Sequence, residues 1–211
     1  MNRYLRDHIL KPLYYHLRRK PFIYSGIYQF YVQRFSDLLF ATGAKGHEPE
    51  TQRWIAENYK EDDVFYDIGA GIGLFSIKAI LQGCRVYAFE KDPGAFETLL
   101  NNARLNRVLS DHIEAVNCHC VCVDADFTVD DMTTLFPVPN HIKIDTEGME
   151  PVILLGMLWV LKQRELKTLV VESFSHEGFD RFLGEYGFVL DGVSRGDERN
   201  RYYKRKEEMK K

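Results

Sequence analysis

The sequence predicts an α/β protein built on a doubly wound, Rossmann-like sheet that is mostly parallel and has an antiparallel strand at its C-terminus. From residue 64 onward, short apolar segments alternate with segments of helical length. This alternation is typical of a parallel sheet that is covered by helices on both faces. The last two predicted strands, FVLDGVS and NRYYKRK, are separated by a short polar loop, which favours an antiparallel hairpin.

Each element of the main domain follows from its composition and from the residues that bound it. Gly83 ends the first helix, Pro93 opens the second, and Pro151 lies in the first turn of the third. The predicted strands are 64–69, 85–90, 113–124, 141–145, 168–174, 188–194 and 200–206. The predicted helices are 74–83, 93–106, 150–163 and 178–187.

A helical, aromatic-rich N-terminal extension is predicted over residues 1–60, and the main domain over residues 61–211. Four apolar residues recur at every fourth position, as on one face of a helix: Leu5, Ile9, Leu13 and Leu17. Residues 22–40 contain seven Phe or Tyr, and their polar residues share one side at helical spacing. This segment is too polar to span a bilayer. Residues 42–50 are a turn-rich connector.

The charge of the chain is uneven. The net charge is −3, which gives no general argument for binding nucleic acid. Residues 1–20 contain six Lys or Arg and one Asp, a local charge of +5, so the remainder sums to −8. The basic segment is compatible with a solvated helix face, with phosphates, with a peripheral membrane contact through residues 1–40, or with a homodimer interface.

The cysteines predict neither disulfides nor a metal site. No signal peptide is recognisable, so we expect a cytoplasmic protein with reduced thiols. Cys118, Cys120 and Cys122 alternate strictly, which places them on one face of a strand. Zinc sites instead pair cysteines two to four residues apart with a second pair elsewhere.

A glycine-rich segment, VFYDIGAGIGLFSIKA, lies where the first strand meets its helix, at the edge where doubly wound sheets bind ligands. Because glycine has no Cβ, a ligand can approach the backbone closely at these positions. A dinucleotide site needs G-x-G-x-x-G, but the sixth position is Leu74 counted from Gly69 and Ser76 counted from Gly71. The pattern D-x-G-x-G-x-G is instead similar to the first motif of class I S-adenosylmethionine methyltransferases.

Two acidic residues further along the chain complete the predicted cofactor site. Glu90 ends the second strand and lies 21 residues after Gly69, where a carboxylate can accept both ribose hydroxyls. Asp124 ends the third strand, and in methyltransferases that this chain resembles an acid there often meets the adenine amino group. Asp126 is the alternative at this position.

The stretch IKIDTEGMEPVILLGM, residues 142–157, is the most specific in the chain. Together with FYDIGAGIG, VYAFEKDPGAFETLLNNARLN and LVVES, it resembles the FkbM family of S-adenosylmethionine-dependent methyltransferases, whose matching segment reads K-x-D-x-E-G-x-E. The resemblance covers about residues 64–175 and implies a Rossmann-like methyltransferase fold with O-methyltransferase activity. By this likeness the cofactor, S-adenosyl-L-methionine, is held by Asp67, Gly69, Gly71, Gly73 and Glu90.

The same likeness makes Lys143, Asp145 and Glu147 the catalytic residues. A hydroxyl nucleophile has to lose a proton, which requires a general base near the methyl group. Clustered acids at 145, 147 and 150 raise one another's pKa values, and Lys143 offsets this or orients the acceptor oxygen. The structural alternative is that these acids only stabilise the start of the helix, where negative side chains interact favourably with the helix dipole. His141 and His176 are the alternative bases, and Glu172, at the end of LVVE, either binds substrate or caps the sheet.

The sequence therefore predicts an enzyme that methylates a hydroxyl on a saccharide or a natural-product-like small molecule. An RNA methyltransferase is the first alternative, because the glycine loop with PGAFETLLNNARLN is also similar to some tRNA methyltransferases. Against it, IDTE stands at the fourth strand in place of an asparagine-proline-proline motif. The second alternative is a cofactor-binding interaction module without catalysis.

Overall fold

The structure is a computed structural model of the 211-residue chain. It describes residues 22–24, 28–30, 48–106, 113–116, 127–173, 178–195 and 199–207. No helix in this described part is long and apolar enough to cross a bilayer.

The N-terminal extension contains a small hairpin where the sequence predicts helix. β1 (Phe22–Tyr24) pairs antiparallel with β2 (Tyr28–Phe30), so the helix prediction is wrong for these six residues. Five of the six are aromatic or β-branched, and such residues favour strands over helix. The α1 helix (Pro49–Asn58) agrees with the helical prediction but begins inside the predicted connector, because Pro49 suits the first helical turn.

The main sheet has seven strands. After the hairpin they are β3 (Val64–Ile68), β4 (Arg85–Phe89), β5 (Ile113–Val116), β6 (His141–Ile144), β7 (Thr168–Glu172), β8 (Phe188–Val193) and β9 (Asn200–Arg205). Their order across the sheet is β5-β4-β3-β6-β7-β9-β8. All neighbours are parallel except that β9 runs antiparallel to both β7 and β8. The predicted doubly wound, mostly parallel sheet with an antiparallel C-terminal strand is confirmed.

The helices depart from the predictions at two places. The further helices are α2 (Leu74–Ile80), α3 (Pro93–Leu105), α4 (Val129–Met132), α5 (Glu150–Leu155), a 3-10 turn (Val160–Lys162) and α6 (Phe179–Glu185). The predicted helix over 150–163 is divided, because α5 ends at Leu155 with Gly156 as its C-cap. The short helix α4 was not predicted, although Thr128 and Asp131 form a capping box that marks its start.

Helices cover both faces of the sheet, and each face has its own apolar core. Tyr66 and Ile68 of β3 belong to the core beneath α4, α5 and α6, whereas Phe65 belongs to the core beneath α1, α2 and α3. Because side chains alternate along a strand, Asp67 points to the same side as Phe65. Lys143 lies between Ile142 and Ile144, both in the first core, so it also points toward α1–α3.

Asp63 organises a polar network at the end of the sheet where β3 and β6 begin. His141 is buried, and its Nε2 lies 2.9 Å from Asp63 Oδ2. Lys167 Nζ donates to Asp63 Oδ1 at 2.6 Å. Burial alone raises the pKa of Asp63, but the hydrogen bonds to His141 and Lys167 outweigh it and hold the pKa well below its ordinary value.

We expect Asp63→Asn to lower the free energy of unfolding by about 1–3 kcal/mol at neutral pH, because it removes charge-assisted hydrogen bonds. A depressed carboxyl pKa contributes stability above the unfolded value of about 4, and this contribution is lost as the pH falls below it. Urea unfolding of both proteins between pH 7 and pH 3 should show a difference that shrinks with acid. Asp62→Asn, a change at the exposed neighbour, is the control; a pH-independent difference would contradict the assignment.

Candidate functional site

The three glycines of the loop after β3 have different roles. All have positive φ angles, 80° at Gly69, 55° at Gly71 and 86° at Gly73. A Cβ on Gly69 would lie 1.8 Å from the backbone oxygen of Asp145, and a Cβ on Gly73 would lie 3.1 Å from Leu99 Cγ. A Cβ on Gly71 would meet no atom of the described residues within 4 Å. Only Gly71 therefore faces open space; Gly69 and Gly73 make room for the protein itself.

Glu90, at the end of β4, holds the glycine loop through its side chain. The Gly71 amide donates to Glu90 Oε2 at 2.8 Å, and the Asp92 amide donates to Oε1 at 2.7 Å. The side chain is buried. These hydrogen bonds fix the Glu90 carboxylate beside Gly71, at the position where the sequence predicts the ribose hydroxyls.

We expect Glu90→Ala to weaken binding of S-adenosylhomocysteine by about 1–3 kcal/mol, because the loop amide and the ligand both lose a charged acceptor. Calorimetric titration measures this change, with NAD as a ligand that should not bind. Glu97→Ala, on the following helix α3, is the control for loss of a carboxylate. An unchanged dissociation constant in Glu90→Ala would place the ribose partner elsewhere.

Asp67 lies buried beneath the loop, 1% exposed, at the start of the predicted cofactor motif. The Ser76 hydroxyl donates to its Oδ2 at 2.6 Å. Its Oδ1 has no hydrogen-bond partner among the described residues. Burial raises the pKa of Asp67 to about 6, although Lys143 and the Ser76 hydroxyl act in the opposite direction. This carboxylate therefore has an open acceptor position inside the protein.

Lys143 is the buried cation of the site. It is 1% exposed, and β6 places it beside Asp67 in register. Its Nζ donates to Asp145 Oδ2 at 2.7 Å and lies 4.6 Å from the centre of the Phe75 ring. Burial alone lowers the pKa of Lys143, but the surrounding carboxylates, chiefly Asp145 and Glu48, raise it above its ordinary value. Lys143 is therefore charged throughout the physiological pH range.

Three carboxylates gather at the carboxyl ends of β6 and β7. Ile144 pairs with Val171, so the next residues, Asp145 and Glu172, stand side by side. Glu48 joins them from the start of α1, and one carboxylate oxygen of each acid lies within 4.8 Å of the others. Burial, followed by the charge of Asp145, raises the pKa of Glu172 to about 8. The spacing would admit a cation, but the ammonium of Lys143 already supplies positive charge there.

Glu147 and Glu150 do not join this cluster. Glu150 is fully buried and accepts hydrogen bonds from the amides of Thr146 and Gly148, so it shapes the loop after β6. Glu147 is exposed on that loop and has a φ of 56°. The structure thus brings together Lys143 and Asp145 of the predicted catalytic residues and leaves Glu147 at the surface.

Three further candidates lie elsewhere. His141 is fully buried at the start of β6, the end of the strand opposite to Asp145, so it is a structural residue. Asp124 and His176 lie outside the described residues, and the role of Asp124 at the adenine stays a prediction. Glu48 was not among the predicted site residues. Its position directly before Pro49, which opens a helix, is the sequence feature that could have indicated it.

The site fits S-adenosylmethionine by its chemistry. Gly71 borders open space next to Glu90, a carboxylate suited to ribose hydroxyls. The open acceptor position on Asp67 suits the amino group of a methionine moiety. Asp145 and Glu172 stand at the same edge of the sheet, where a methyl acceptor would approach.

Comparison with known proteins identifies methyltransferases. The sequence model of the TRM5/TYW2 methyltransferase domain matches residues 35–147. The chain is 38% identical over 65 residues to a tRNA (guanine(37)-N(1))-methyltransferase of Anopheles gambiae, a match that covers 31% of this chain and 11% of that protein. The chain thus spans about a tenth of the length of this curated relative.

A second relative is similar over a longer region. The chain is 28% identical over 177 residues to the hexuronic acid methyltransferase AglP of Haloferax volcanii, with 72% of each chain covered. Among solved structures, TYW2 of M. jannaschii in complex with AdoMet has a TM-score of 0.53 at 16% identity, covering 88% of this chain and 85% of that one. This structural likeness shows the fold.

Proposed function

We propose that this chain, which belongs to the TRM5/TYW2 methyltransferase domain family, methylates a hydroxyl group on a saccharide or a similar small molecule. S-adenosylmethionine is the cofactor of this domain. The observation that carries the proposal is the cluster of Lys143, Asp145 and Glu172 at the carboxyl edge of the sheet. The FkbM-like pattern K-x-D-x-E-G-x-E over residues 143–150 supports the same O-methyltransferase assignment.

The cluster suits a hydroxyl acceptor for a chemical reason. When bound, S-adenosylmethionine supplies a methyl group that is already activated, so the protein has to align the acceptor, exclude water and remove a proton. Gly71, Glu90 and Asp67 would hold the cofactor. An alcohol oxygen needs a carboxylate or another base within hydrogen-bond reach, and the paired acids at the ends of β6 and β7 provide one.

A polar cavity lies two hydrogen bonds away from Glu48. A cavity of about 330 Å³ lies between α1 and the β8–β9 hairpin, lined by charged side chains of both signs that include Arg53 and Arg195. Tyr202 also lines it, and the Tyr202 hydroxyl is hydrogen-bonded to Thr51, which donates to Glu48 Oε2. The cavity is therefore linked to Glu48 through the buried Thr51 hydroxyl, and its donors and acceptors suit a hydroxyl-rich ligand.

The longer of the two reported sequence matches supports a saccharide. That relative is named a hexuronic acid methyltransferase, and the match extends over 72% of both chains.

Methylation of tRNA is the second candidate, favoured by the family match and by the tRNA methyltransferases among the relatives. Their matches are local, 65 residues in the Anopheles gambiae enzyme. The segment after β6 reads IDTE and has no asparagine-proline-proline motif, which argues against this candidate.

The two candidates are separated by supplying methyl-labelled S-adenosylmethionine with either uronic-acid-containing saccharides or a tRNA transcript. We expect label in the saccharide, in an alkali-stable ether. Alkali-labile label would indicate a carboxyl ester, and label in tRNA that falls steeply with salt would indicate RNA methylation; either result would overturn the proposal. Gly71→Val is the inactive control, because a β-branched side chain would enter the open space at Gly71.

A further inference from the structure

We propose that Glu172 is the carboxylate that accepts the proton of the acceptor hydroxyl, and that it shares a proton with Asp145 until positive charge enters the site. This inference rests on the proposed function, because it names the base for that reaction. It replaces Glu147, the exposed residue that the sequence favoured together with Asp145, by a residue at the end of β7.

The first support is geometric. Asp145 and Glu172 end neighbouring parallel strands in the same register, so their side chains leave the sheet on the same side. One oxygen of each carboxyl group lies within 4.8 Å of the other. Two carboxylates this close cannot both ionise easily, and one proton between them relieves the repulsion.

The second support is the distribution of charge around Glu172. From β6, Lys143 donates its hydrogen bond to Asp145; its charge also lowers the pKa of Glu172, but less than burial and Asp145 raise it. From α1, Glu48 adds a further negative charge. Among the described residues, Arg199 forms an ion pair with Glu172, with Nη1 3.4 Å from Glu172 Oε1, and its side chain is 37% exposed. Lys143 is therefore paired with Asp145, and the shared proton is assigned to Glu172.

The third support is the acidity of the Glu172 carboxyl group. Burial and the charge of Asp145 raise the pKa of Glu172 to about 8, so the group is mainly protonated at neutral pH. A positive charge near a carboxyl group lowers its pKa. Bound S-adenosylmethionine carries a sulfonium charge that S-adenosylhomocysteine lacks, so binding of the former would convert Glu172 to its basic form.

In the proposed methyl transfer, one bond forms and one bond breaks at the methyl carbon. The acceptor oxygen forms a bond to the methyl carbon, the carbon–sulfur bond breaks, and its electron pair stays on sulfur. The hydroxyl proton moves to a Glu172 carboxylate oxygen. Loss of the sulfonium charge then raises the pKa of Glu172 again, so the protonated form of the resting enzyme is restored.

Proton release on cofactor binding tests this inference without turnover. Titration calorimetry at pH 7.5 in two buffers of different ionisation enthalpy gives the number of protons released. We expect more protons released with S-adenosylmethionine than with S-adenosylhomocysteine, and no such difference in Glu172→Gln. Equal release with both ligands in the wild type, or a difference that persists in Glu172→Gln, would overturn the inference.

Turnover provides the second test. Glu172→Gln should keep its affinity for S-adenosylhomocysteine and lose about 100-fold or more in kcat, with the acidic limb of the pH–kcat profile removed. Glu185→Gln, the same change at an exposed position on α6, is the control. A Glu172→Gln enzyme with wild-type kcat and pH profile would refute the inference and leave saccharide methylation intact. Wild-type enzyme that methylates tRNA alone would refute the proposed function instead.

Discussion

Gly69→Ala is expected to destabilise the domain by at least about 3 kcal/mol, because the new methyl group overlaps backbone atoms and the φ angle is positive. The Cβ would lie 1.8 Å from the Asp145 carbonyl oxygen and 2.8 Å from its carbon. Neither atom belongs to a flexible side chain, and the pairing of β3 with β6 prevents the two segments from separating. Urea unfolding followed by circular dichroism measures the loss.

Gly71→Ala is the matched comparison. Its Cβ would meet no atom within 4 Å, and its φ of 55° costs an alanine about 1–2 kcal/mol. The variant should therefore fold, and its affinity for S-adenosylhomocysteine should fall because the methyl group occupies the ligand's side of the loop. Equal stability of Gly69→Ala and Gly71→Ala would contradict the close approach of Asp145 to Gly69.

Lys143→Met is expected to lower the free energy of unfolding by about 3–5 kcal/mol at pH 8, because it leaves buried carboxylates without their cation. Asp67 and Asp145 both interact with Lys143. Activity should be lost as well, because Asp145 loses the hydrogen bond that orients it. Lys162→Met, at an exposed position in the 3-10 turn, is the control.

The deficit of Lys143→Met should depend on pH with a defined sign. Burial already raises the pKa of Asp67 to about 6, and loss of the lysine raises it further. A carboxyl group whose folded pKa is raised costs stability above that pKa and none below its unfolded value of about 4. Urea unfolding should thus give a smaller difference from the wild type at pH 5 than at pH 8. A constant difference would mean that lost packing dominates.

The fold was largely predictable because its signals are local and periodic. Alternating apolar segments predicted the parallel sheet, and Pro93 marked the start of a helix that the structure keeps; the helix before it ends at Ile80, three residues before the predicted Gly83. The hairpin Phe22–Phe30 was mispredicted, because a helical spacing of polar residues competed with strand-favouring aromatic residues. The division of the helix at Gly156 depended on how the following turn packs, which spacing alone does not report.

The site was predictable only in part. The motif D-x-G-x-G-x-G distinguished the two adenosine cofactors, because glycine spacing is a property of the chain itself. The same motif suggested that every glycine faces the ligand, whereas Gly69 and Gly73 face Asp145 and Leu99. Likewise, the pattern K-x-D-x-E-G-x-E grouped Glu147 and Glu150 with Asp145 as clustered acids. In the structure Glu147 is exposed, and Glu150 accepts hydrogen bonds that hold the loop after β6.

The sequence by itself determined the alternation of strands and helices along the main domain, the class of cofactor and the presence of acids at strand ends. All of these follow from residue type and local spacing. Only the tertiary structure decided which acids meet. Glu48, Asp145 and Glu172 are far apart in the chain and come together because β6 and β7 end at one edge, beside the start of α1. Register and burial, which are properties of pairing between distant segments, decide which carboxyl group keeps a proton.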